Sequence, residues 1–344
     1  MLYEKNQNNQ VRCNLCARRC LIRDGGFGFC RVRKNESGEL YSLNYAKACA
    51  AHADPIGKKP LSHFHPGAYV MSIATVGCNF RCQFCDNWNI SQEREIIGRD
   101  FPPEDVIKAA KDYGCQGVSY TYTEPTIFFE YAYDTAVLAH KEGLFNTFVT
   151  NGYMTPEAVK TISKYLDAAT VDFKGSANPK FYLEFSSVPT VEPIFESLME
   201  MKRQGIFIEI TDLIVPKYGD SMEDLRRLVK WIVENLGPEI PFHILRFHPN
   251  YELYNLPSTP LESLMKAKRI ALEEGLQYVY LGNTPEVEGE NTYCPKCGTL
   301  LVERNGFSIG RWIITEDGKC PKCGFKINIK GKFWGGGRFI HDVL

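Results

Sequence analysis

The sequence predicts an α/β fold: a partial TIM-like (β/α)6 barrel with small cysteine-rich, metal-binding N- and C-terminal extensions. Three observations predict it. Between residues 67 and 283 strand-like and helix-like segments alternate, and steady strand–helix–strand order implies a parallel sheet with helical crossovers. Unusual polar residues fall at the carboxyl ends of successive strand candidates, where barrel-like parallel folds place their active sites. All but two of the thirteen cysteines, Cys49 and Cys115, fall into three compact sets.

The strand candidates are residues 68–76, 117–123, 145–150, 169–173, 207–214, 242–247 and 277–281. Helical stretches lie between them at 103–113, 127–141, 156–166, 191–204, 222–235 and 260–274. Helix-start signals recur at Thr155-Pro156, Asp220-Ser221 and Thr259-Pro260, where a capping side chain or a proline suits the first turn. The strand count suits an open barrel better than a closed eightfold one. The chain divides accordingly into an N-terminal extension (1–66), the barrel (67–283) and a rubredoxin-like or zinc-ribbon unit (284–344). Phe333-Trp-Gly-Gly-Gly-Arg338 is glycine-rich but too short for a phosphate loop.

With 40 basic and 41 acidic residues in 344, the chain carries no global pull towards nucleic acid or anionic membrane. No apolar run of about 20 residues suggests a membrane span, and Met1-Leu-Tyr-Glu-Lys-Asn lacks a secretory pattern. The expectation is a cytoplasmic protein. Reduced thiols there point to metal rather than to disulfides. Cys49 and Cys115 are read as small buried hydrophobes.

The most telling set is Cys78-Asn-Phe-Arg-Cys82-Gln-Phe-Cys85, just after a strand candidate and Gly77. Three thiolates suit three corners of a [4Fe–4S] cube, which normally takes four; the fourth iron is then open to a small molecule. A zinc site lacking one ligand, or a ferredoxin-type cluster completed from afar, are the other readings. Zinc loops usually show two Cys-x-x-Cys knuckles, and the Cys78–Cys82 spacing is one residue longer. The C-x3-C-x2-C spacing, with Phe84 before the last cysteine, resembles the radical S-adenosylmethionine (SAM) superfamily. The resemblance implies that the methionine amino and carboxylate groups of SAM chelate the open iron and that Phe84 supports the adenine.

Polar groups at the strand tops match what SAM presents: an ammonium, a carboxylate and a ribose diol. Glu124, in Thr121-Tyr-Thr-Glu124-Pro125, can accept from the ammonium. Lys174 can neutralise the carboxylate, and Asp172 and Asn151 can hydrogen-bond the ribose, in charge-assisted contacts that are strong in a partly dry cleft. Glu209 and Thr211 on the fifth strand, and Arg246 and His248 at the end of the sixth, complete the ring.

Over roughly residues 67–283, Thr150-Asn-Gly-Tyr153, Val171-Asp-Phe-Lys174, Ile214-Val-Pro216 with Gly219-Asp220, and Phe247-His-Pro-Asn-Tyr-Glu252 resemble the glycyl-radical-enzyme activases, typified by pyruvate formate-lyase activating enzyme. That likeness implies SAM contacts from Asp172 and Lys174. The family's histidine after the sixth-strand proline meets Tyr251 here, with His248 before the proline. Val149 stands where the activases often carry the aspartate of a monovalent-cation site. Asp54-Pro-Ile-Gly-Lys-Lys-Pro-Leu-Ser-His-Phe-His-Pro-Gly67 and the terminal knuckles resemble the radical SAM enzymes of the AmmeMemoRadiSam system, which implies partners of the Memo and AMMECR1 families. The implied reaction takes one electron from a ferredoxin- or flavodoxin-type donor and cleaves SAM to methionine and a 5′-deoxyadenosyl radical. That radical takes hydrogen from a substrate: a protein in the activase style, or alternatively a small molecule or RNA. A zinc-ribbon binding module on an inert barrel is the non-enzymatic reading.

Cys294-Pro-Lys-Cys297 and Cys320-Pro-Lys-Cys323 form two rubredoxin-type knuckles, a closed tetrahedral site for zinc, with iron as the alternative. Cys13, Cys16, Cys20 and Cys30 are expected to form a second metal site, zinc in the first instance, with an iron–sulfur cluster as competitor. Lys59, His63 and His65 are expected at the substrate mouth if their loop covers the barrel top.

Overall fold

The computed structural model describes residues 2–284 and 287–335, so residues 336–338 of the glycine-rich run lie outside the described residues. Its central sheet contains β1 (Ala50–Pro55), β2 (Tyr69–Ala74), β3 (Gly117–Tyr120), β4 (Phe145–Thr150), β5 (Ala168–Lys174), β6 (Phe207–Ile214), β7 (Phe242–Arg246) and β8 (Val279–Gly282). The spatial order follows the chain, from β1 at one edge to β8 at the other. The β2–β8 pairings are all parallel, and β1 runs antiparallel to β2. Among the described residues the edges β1 and β8 are not paired with each other, so the barrel is open.

Helices α1 (Pro103–Asp112), α2 (Phe129–Lys141), α3 (Pro156–Ile162), α4 (Pro179–Ser186), α5 (Glu192–Arg203), α6 (Met222–Asn235) and α7 (Leu261–Glu273) make the six crossovers, with α4 and α5 sharing one. Their starts are chemically marked. Thr155 Oγ1 accepts from Ala158 N at 3.2 Å ahead of Pro156, and Asn178 Oδ1 accepts from Phe181 N at 3.0 Å ahead of Pro179. Each satisfies an orphan donor of the first turn. All four residues of β3 are buried, as expected for a parallel strand covered on both faces.

Two departures from the sequence reading matter. The sheet begins at Ala50, inside the segment assigned to the N-terminal extension, because β1 pairs along its whole length with β2. The second concerns the loop after β1, which fills the amino end of the barrel rather than its top. Ile56, Leu61 and Phe64 pack there with Ala68, Val70 and Ala168. Thr170 Oγ1 donates to Lys59 O at 2.6 Å, and Glu209 accepts from Ser62 N at 3.0 Å and from His63 N at 2.7 Å.

Short N-terminal strands (Tyr3–Lys5, Val11–Cys13, Leu21–Ile22 and the hairpin Arg33–Glu36 with Glu39–Ser42) dock near the carboxyl end of the barrel. Cys16 bridges to Met154, and Thr155 Oγ1 donates to Asn14 O at 2.7 Å. The buried Arg33 guanidinium pairs with Glu130 of α2 at 2.5 Å. At the opposite end, β9 (Thr292–Tyr293), β10 (Leu300–Asn305) and β11 (Ser308–Trp312) form an antiparallel sheet. Its Leu301 and Val302 pack with Tyr278, Tyr280, Cys294 and Cys320.

Candidate active site

The carboxyl ends of the central strands face one cavity of about 450 Å³. Cys78, Cys82, Cys85, Phe84, Glu124, Asn151, Asp172, Lys174 and Thr211 all line it. The thiol loop leaves β2 through Gly77, whose φ is +97°. A Cβ there would stand 2.9 Å from Val32 Cγ1 and 3.0 Å from Cys30 O. Only glycine allows both that dihedral and that approach. Phe80 N donates to Cys78 Sγ at 3.4 Å, the Cys82 thiol donates to Ser186 Oγ at 3.3 Å, and Cys85 Sγ lies 3.2 Å from Ser91 Oγ. Burial pushes Cys82 up to about 11 against the pull of Lys174, and raises Cys78 and Cys85 as well. Thiols of this kind give up their protons as metal binds.

The set fits an iron–sulfur group. Asn79 Oδ1 accepts from Asn151 Nδ2 at 2.7 Å, while Asn79 Nδ2 is buried with no hydrogen-bond partner among the described residues. A buried donor beside the thiols calls for an acceptor, which cluster sulfide or a bound nucleotide would supply.

Glu124 is 1 % exposed. Its Oε1 accepts from Thr126 N, Thr126 Oγ1 and Thr150 Oγ1 at 3.0, 2.5 and 2.7 Å, and its Oε2 from Asn151 N at 2.8 Å. Burial raises its pKa and these bonds oppose the rise. The carboxylate thus ties the loop after β3 to the loop after β4, and Oε2 keeps capacity for one more donor. Lys174 Nζ pairs with Asp172 Oδ2 at 2.5 Å, and Thr211 Oγ1 donates to Asp172 Oδ1 at 2.5 Å. Burial alone would lower the Lys174 pKa; the Asp172 charge outweighs it and the net shift is upward, so the ammonium stays charged. Phe84 packs on Phe181 with ring centroids 5.5 Å apart.

Three residues expected at the site lie elsewhere. Glu209 shares a strand face with Thr211, as period-2 geometry dictates, but it sits nearer the amino end. There its Oε2 also meets His243 Nε2 at 2.8 Å, and its carboxylate serves the plug rather than the cavity. His248 is exposed and its Nε2 meets Asn283 O at 3.0 Å. Tyr251 stacks on Trp88 with centroids 5.0 Å apart, outside the cavity lining. Of the loop residues placed at the substrate mouth, only Lys59 reaches the cavity. His63 and His65 face the C-terminal unit at the other end: His63 Nδ1 meets Asn328 O at 2.7 Å and His65 N donates to Lys330 O at 2.8 Å.

The sequence reading placed Lys59 at the substrate mouth but did not join it to Asp54 and Tyr122. Lys59 is 1 % exposed; its Nζ meets Asp54 Oδ2 at 2.7 Å and lies 4.3 Å from the Tyr122 ring centroid. The Tyr122 hydroxyl also donates to Asp54. Lys58 Nζ reaches Asp54 Oδ1 at 2.8 Å. Burial lowers the Lys59 pKa to about 8, with Asp54 opposing. Tyr122 holds φ at +62°, a conformation unfavourable to a bulky side chain. The charged Lys58-Lys59 pair between prolines was the available signal; its partner Tyr122 is joined to it only by the fold.

The profile described as Radical SAM superfamily matches residues 72–232. The chain belongs to the radical SAM superfamily. It is 47 % identical over 334 residues to an uncharacterised protein of Methanocaldococcus jannaschii, covering 96 % of this chain and 98 % of that one. It is 25 % identical to the pyruvate formate-lyase-activating enzyme of Clostridium pasteurianum, over 58 % of this chain and 87 % of that enzyme. In fold it is similar to SuiB of Streptococcus suis, solved bound to S-adenosylmethionine. The TM-score is 0.50 at 17 % identity, over 67 % of this chain and 54 % of that one. The protein is therefore a radical SAM enzyme of activase-like type, a family that works with an iron–sulfur cluster and SAM.

The radical SAM barrel carries two further thiol sets. The Sγ atoms of Cys294, Cys297, Cys320 and Cys323 all lie within 4.8 Å of one another, with Cys294–Cys323 at 3.5 Å and Cys297–Cys320 at 3.7 Å. That spacing suits one ion: a tetrahedral ion with metal–sulfur bonds of about 2.3 Å sets thiolates about 3.8 Å apart. Cys13, Cys16, Cys20 and Cys30 converge as well, each within electrostatic reach of the other three. No helix among the described residues is long and apolar enough to cross a membrane.

Proposed function

We propose that this enzyme cleaves SAM reductively and uses the radical to abstract hydrogen from a protein, as an activating enzyme for a glycyl-radical partner. The observation that carries the reading is the single cavity shared by the three motif thiols, Glu124, Asn151 and the Asp172–Lys174 pair. In this reading Cys78, Cys82 and Cys85 hold a [4Fe–4S] cluster which, when bound and reduced, supplies the electron that splits SAM into methionine and a 5′-deoxyadenosyl radical. The chain's residues do the rest. Lys174 neutralises the SAM carboxylate, Glu124 Oε2 accepts from its ammonium, Asp172 and Asn151 hold the ribose, and Phe84 backs the adenine. The buried cavity walls keep water and stray hydrogen donors away from the radical. The relatives named as activating enzymes favour a protein substrate.

Zinc fits the C-terminal cage. The proposed partners are a low-potential ferredoxin- or flavodoxin-type donor and, by family resemblance, Memo- and AMMECR1-family proteins. The buried Lys59 in the cavity wall, whose ammonium pairs with Asp54, favours a second reading, a small substrate carrying an anionic group.

The test is anaerobic reconstitution with iron, sulfide, dithionite and SAM, reading 5′-deoxyadenosine by mass spectrometry. A glycyl-radical doublet in the electron paramagnetic resonance spectrum of a partner enzyme would establish the activase role. Product formed with no doublet on any glycyl-radical enzyme of the host would move the assignment to a small substrate. No product at all would leave a metal-binding module on an inert barrel.

A further inference from the structure

The four N-terminal thiols stand outside the site described above, and their spacing separates them from the C-terminal set. Of the thiol groups among the described residues, only Cys294, Cys297, Cys320 and Cys323 bring three or more sulfurs within 4.8 Å of one another. No three of Cys13, Cys16, Cys20 and Cys30 do so, and neither do Cys78, Cys82 and Cys85. One molecule thus holds two spacing classes: a single-ion cage at one end, and two wider sets, one of which is the radical SAM motif. A cluster of several irons carries its thiolates on different metal atoms and spreads them beyond the reach of one ion. The N-terminal set also has an N–H···S bond of the kind that tunes such clusters, from Phe29 N to Cys20 Sγ at 3.4 Å.

Position adds a second argument. The carbonyl of Cys30 touches the Gly77 turn into the motif. The Arg81 guanidinium lies within electrostatic reach of both Cys30 and Cys78, and Arg18 within reach of Cys16, Cys20 and Cys78. Both guanidiniums face the Phe29 ring, at 3.7 Å for Arg18 and 4.6 Å for Arg81. They are anchored from both sides: Arg18 Nε donates to Asn79 O at 2.9 Å and an Arg81 amine donates to Phe29 O at 2.6 Å. The two thiol sets are therefore no further apart than one side chain can bridge, and the bridging charges are positive.

We propose that Cys13, Cys16, Cys20 and Cys30 hold a second iron–sulfur cluster that passes electrons to the motif site. The relay rests on the radical SAM reading; the cluster itself does not. A reduced low-potential carrier protein gives one electron to the N-terminal cluster. The same electron moves on to the motif site, which returns the first cluster to its oxidised state; no bond and no proton is exchanged.

The experiment uses full-length protein reconstituted anaerobically. In the Cys78→Ala, Cys82→Ala, Cys85→Ala triple variant, iron and sulfide remain bound with a cluster-type Mössbauer spectrum, whose iron count reports the cluster's size. No cluster iron, with a second zinc per chain beyond the one expected in the C-terminal cage, overturns the cluster. A Cys16→Ser, Cys20→Ser variant keeps dithionite-driven 5′-deoxyadenosine formation and loses formation driven by reduced ferredoxin or flavodoxin. Unchanged carrier-driven formation, or equal loss with both reductants in a protein of wild-type circular dichroism, overturns the relay. Should the serine variant not fold, the triple variant still decides the cluster. Failure of the radical SAM reading would show separately, as wild-type protein making no product with dithionite while its N-terminal iron is present.

Discussion

At its carboxyl end the barrel leaves Asp172 and Lys174 lining a cavity, while at its amino end it commits Glu209 to a plug. All three are charged residues on neighbouring parallel strands, and all are largely or wholly buried. The difference lies in their partners. Asp172 and Lys174 bond mainly to each other and to Thr211, across a space a ligand can enter. Glu209 accepts two backbone N–H groups and a histidine from neighbours that fill the barrel interior. A buried charge needs partners in either case. Where the chain supplies them all the residue is architecture, and where it leaves a cavity beside them the residue is available for chemistry.

The largest expected effect tests the carboxyl end. Cys82→Ala should reduce 5′-deoxyadenosine formation to background with little change in unfolding free energy, read by anaerobic turnover and chemical denaturation side by side. Retention of turnover would remove the motif from the chemistry. Next comes Glu209→Ala. It orphans two amides and His243, and breaking a buried charged network costs about 3–5 kcal/mol. Denaturation should show that loss, and the folded fraction should bind SAM as the wild type does. Loss of SAM affinity without loss of stability would return Glu209 to the cofactor site. Lys174→Met should act the other way round. In the proposed mode of binding it removes one charged hydrogen bond to SAM, which should cost about 2 kcal/mol or roughly 30-fold in Kd, measured by calorimetry. An unchanged Kd would break the contrast at its carboxyl end.

Much of this contrast was legible in the sequence, and its missing part has a physical cause. Residues 145–150, 207–214 and 222–235 form elements with the bounds that β-branched runs and the Ser221 cap predict. The cavity positions of Glu124, Asn151, Asp172 and Lys174 were readable because a strand's end is a local property. Strand β1 was not, since Ala50-Ala-His-Ala-Asp-Pro55 has no β-branched residue and gains its order from pairing with β2. Helix α4 was absent from the sequence reading, and its aromatic run Phe181-Tyr-Leu-Glu-Phe185 suits a strand as well as a helix. The depth of Glu209 could not be read at all. Alternation gives the face a side chain occupies, not the level at which an interior is filled, and the filler is a loop nearly 150 residues upstream.

The smallest expected effect probes how that loop joins the C-terminal unit. His63 is fully buried, with Nδ1 against the Asn328 carbonyl and Nε2 2.5 Å from the Tyr280 hydroxyl. A carbonyl only accepts, so Nδ1 carries the proton, and in the neutral ring Nε2 accepts from the Tyr280 hydroxyl. Burial lowers its pKa from 6.5 to about 4; Arg304 and His243 push the same way, and Glu209 and the Asn328 carbonyl oppose them. The folded pKa is depressed, so the unfolded chain takes up the proton first as pH falls. The contribution is complete above 6.5, declines between 6.5 and 4, and is gone below that window. From pH 7 to pH 5 the wild type should lose about 2 kcal/mol through this group. His63→Gln starts less stable and lacks the titration, so its denaturation midpoint should change less over the same interval. Parallel pH profiles for the two proteins would mean that His63 takes up its proton in the fold as readily as in the unfolded chain, and that burial at the junction between plug and C-terminal unit does not depress it.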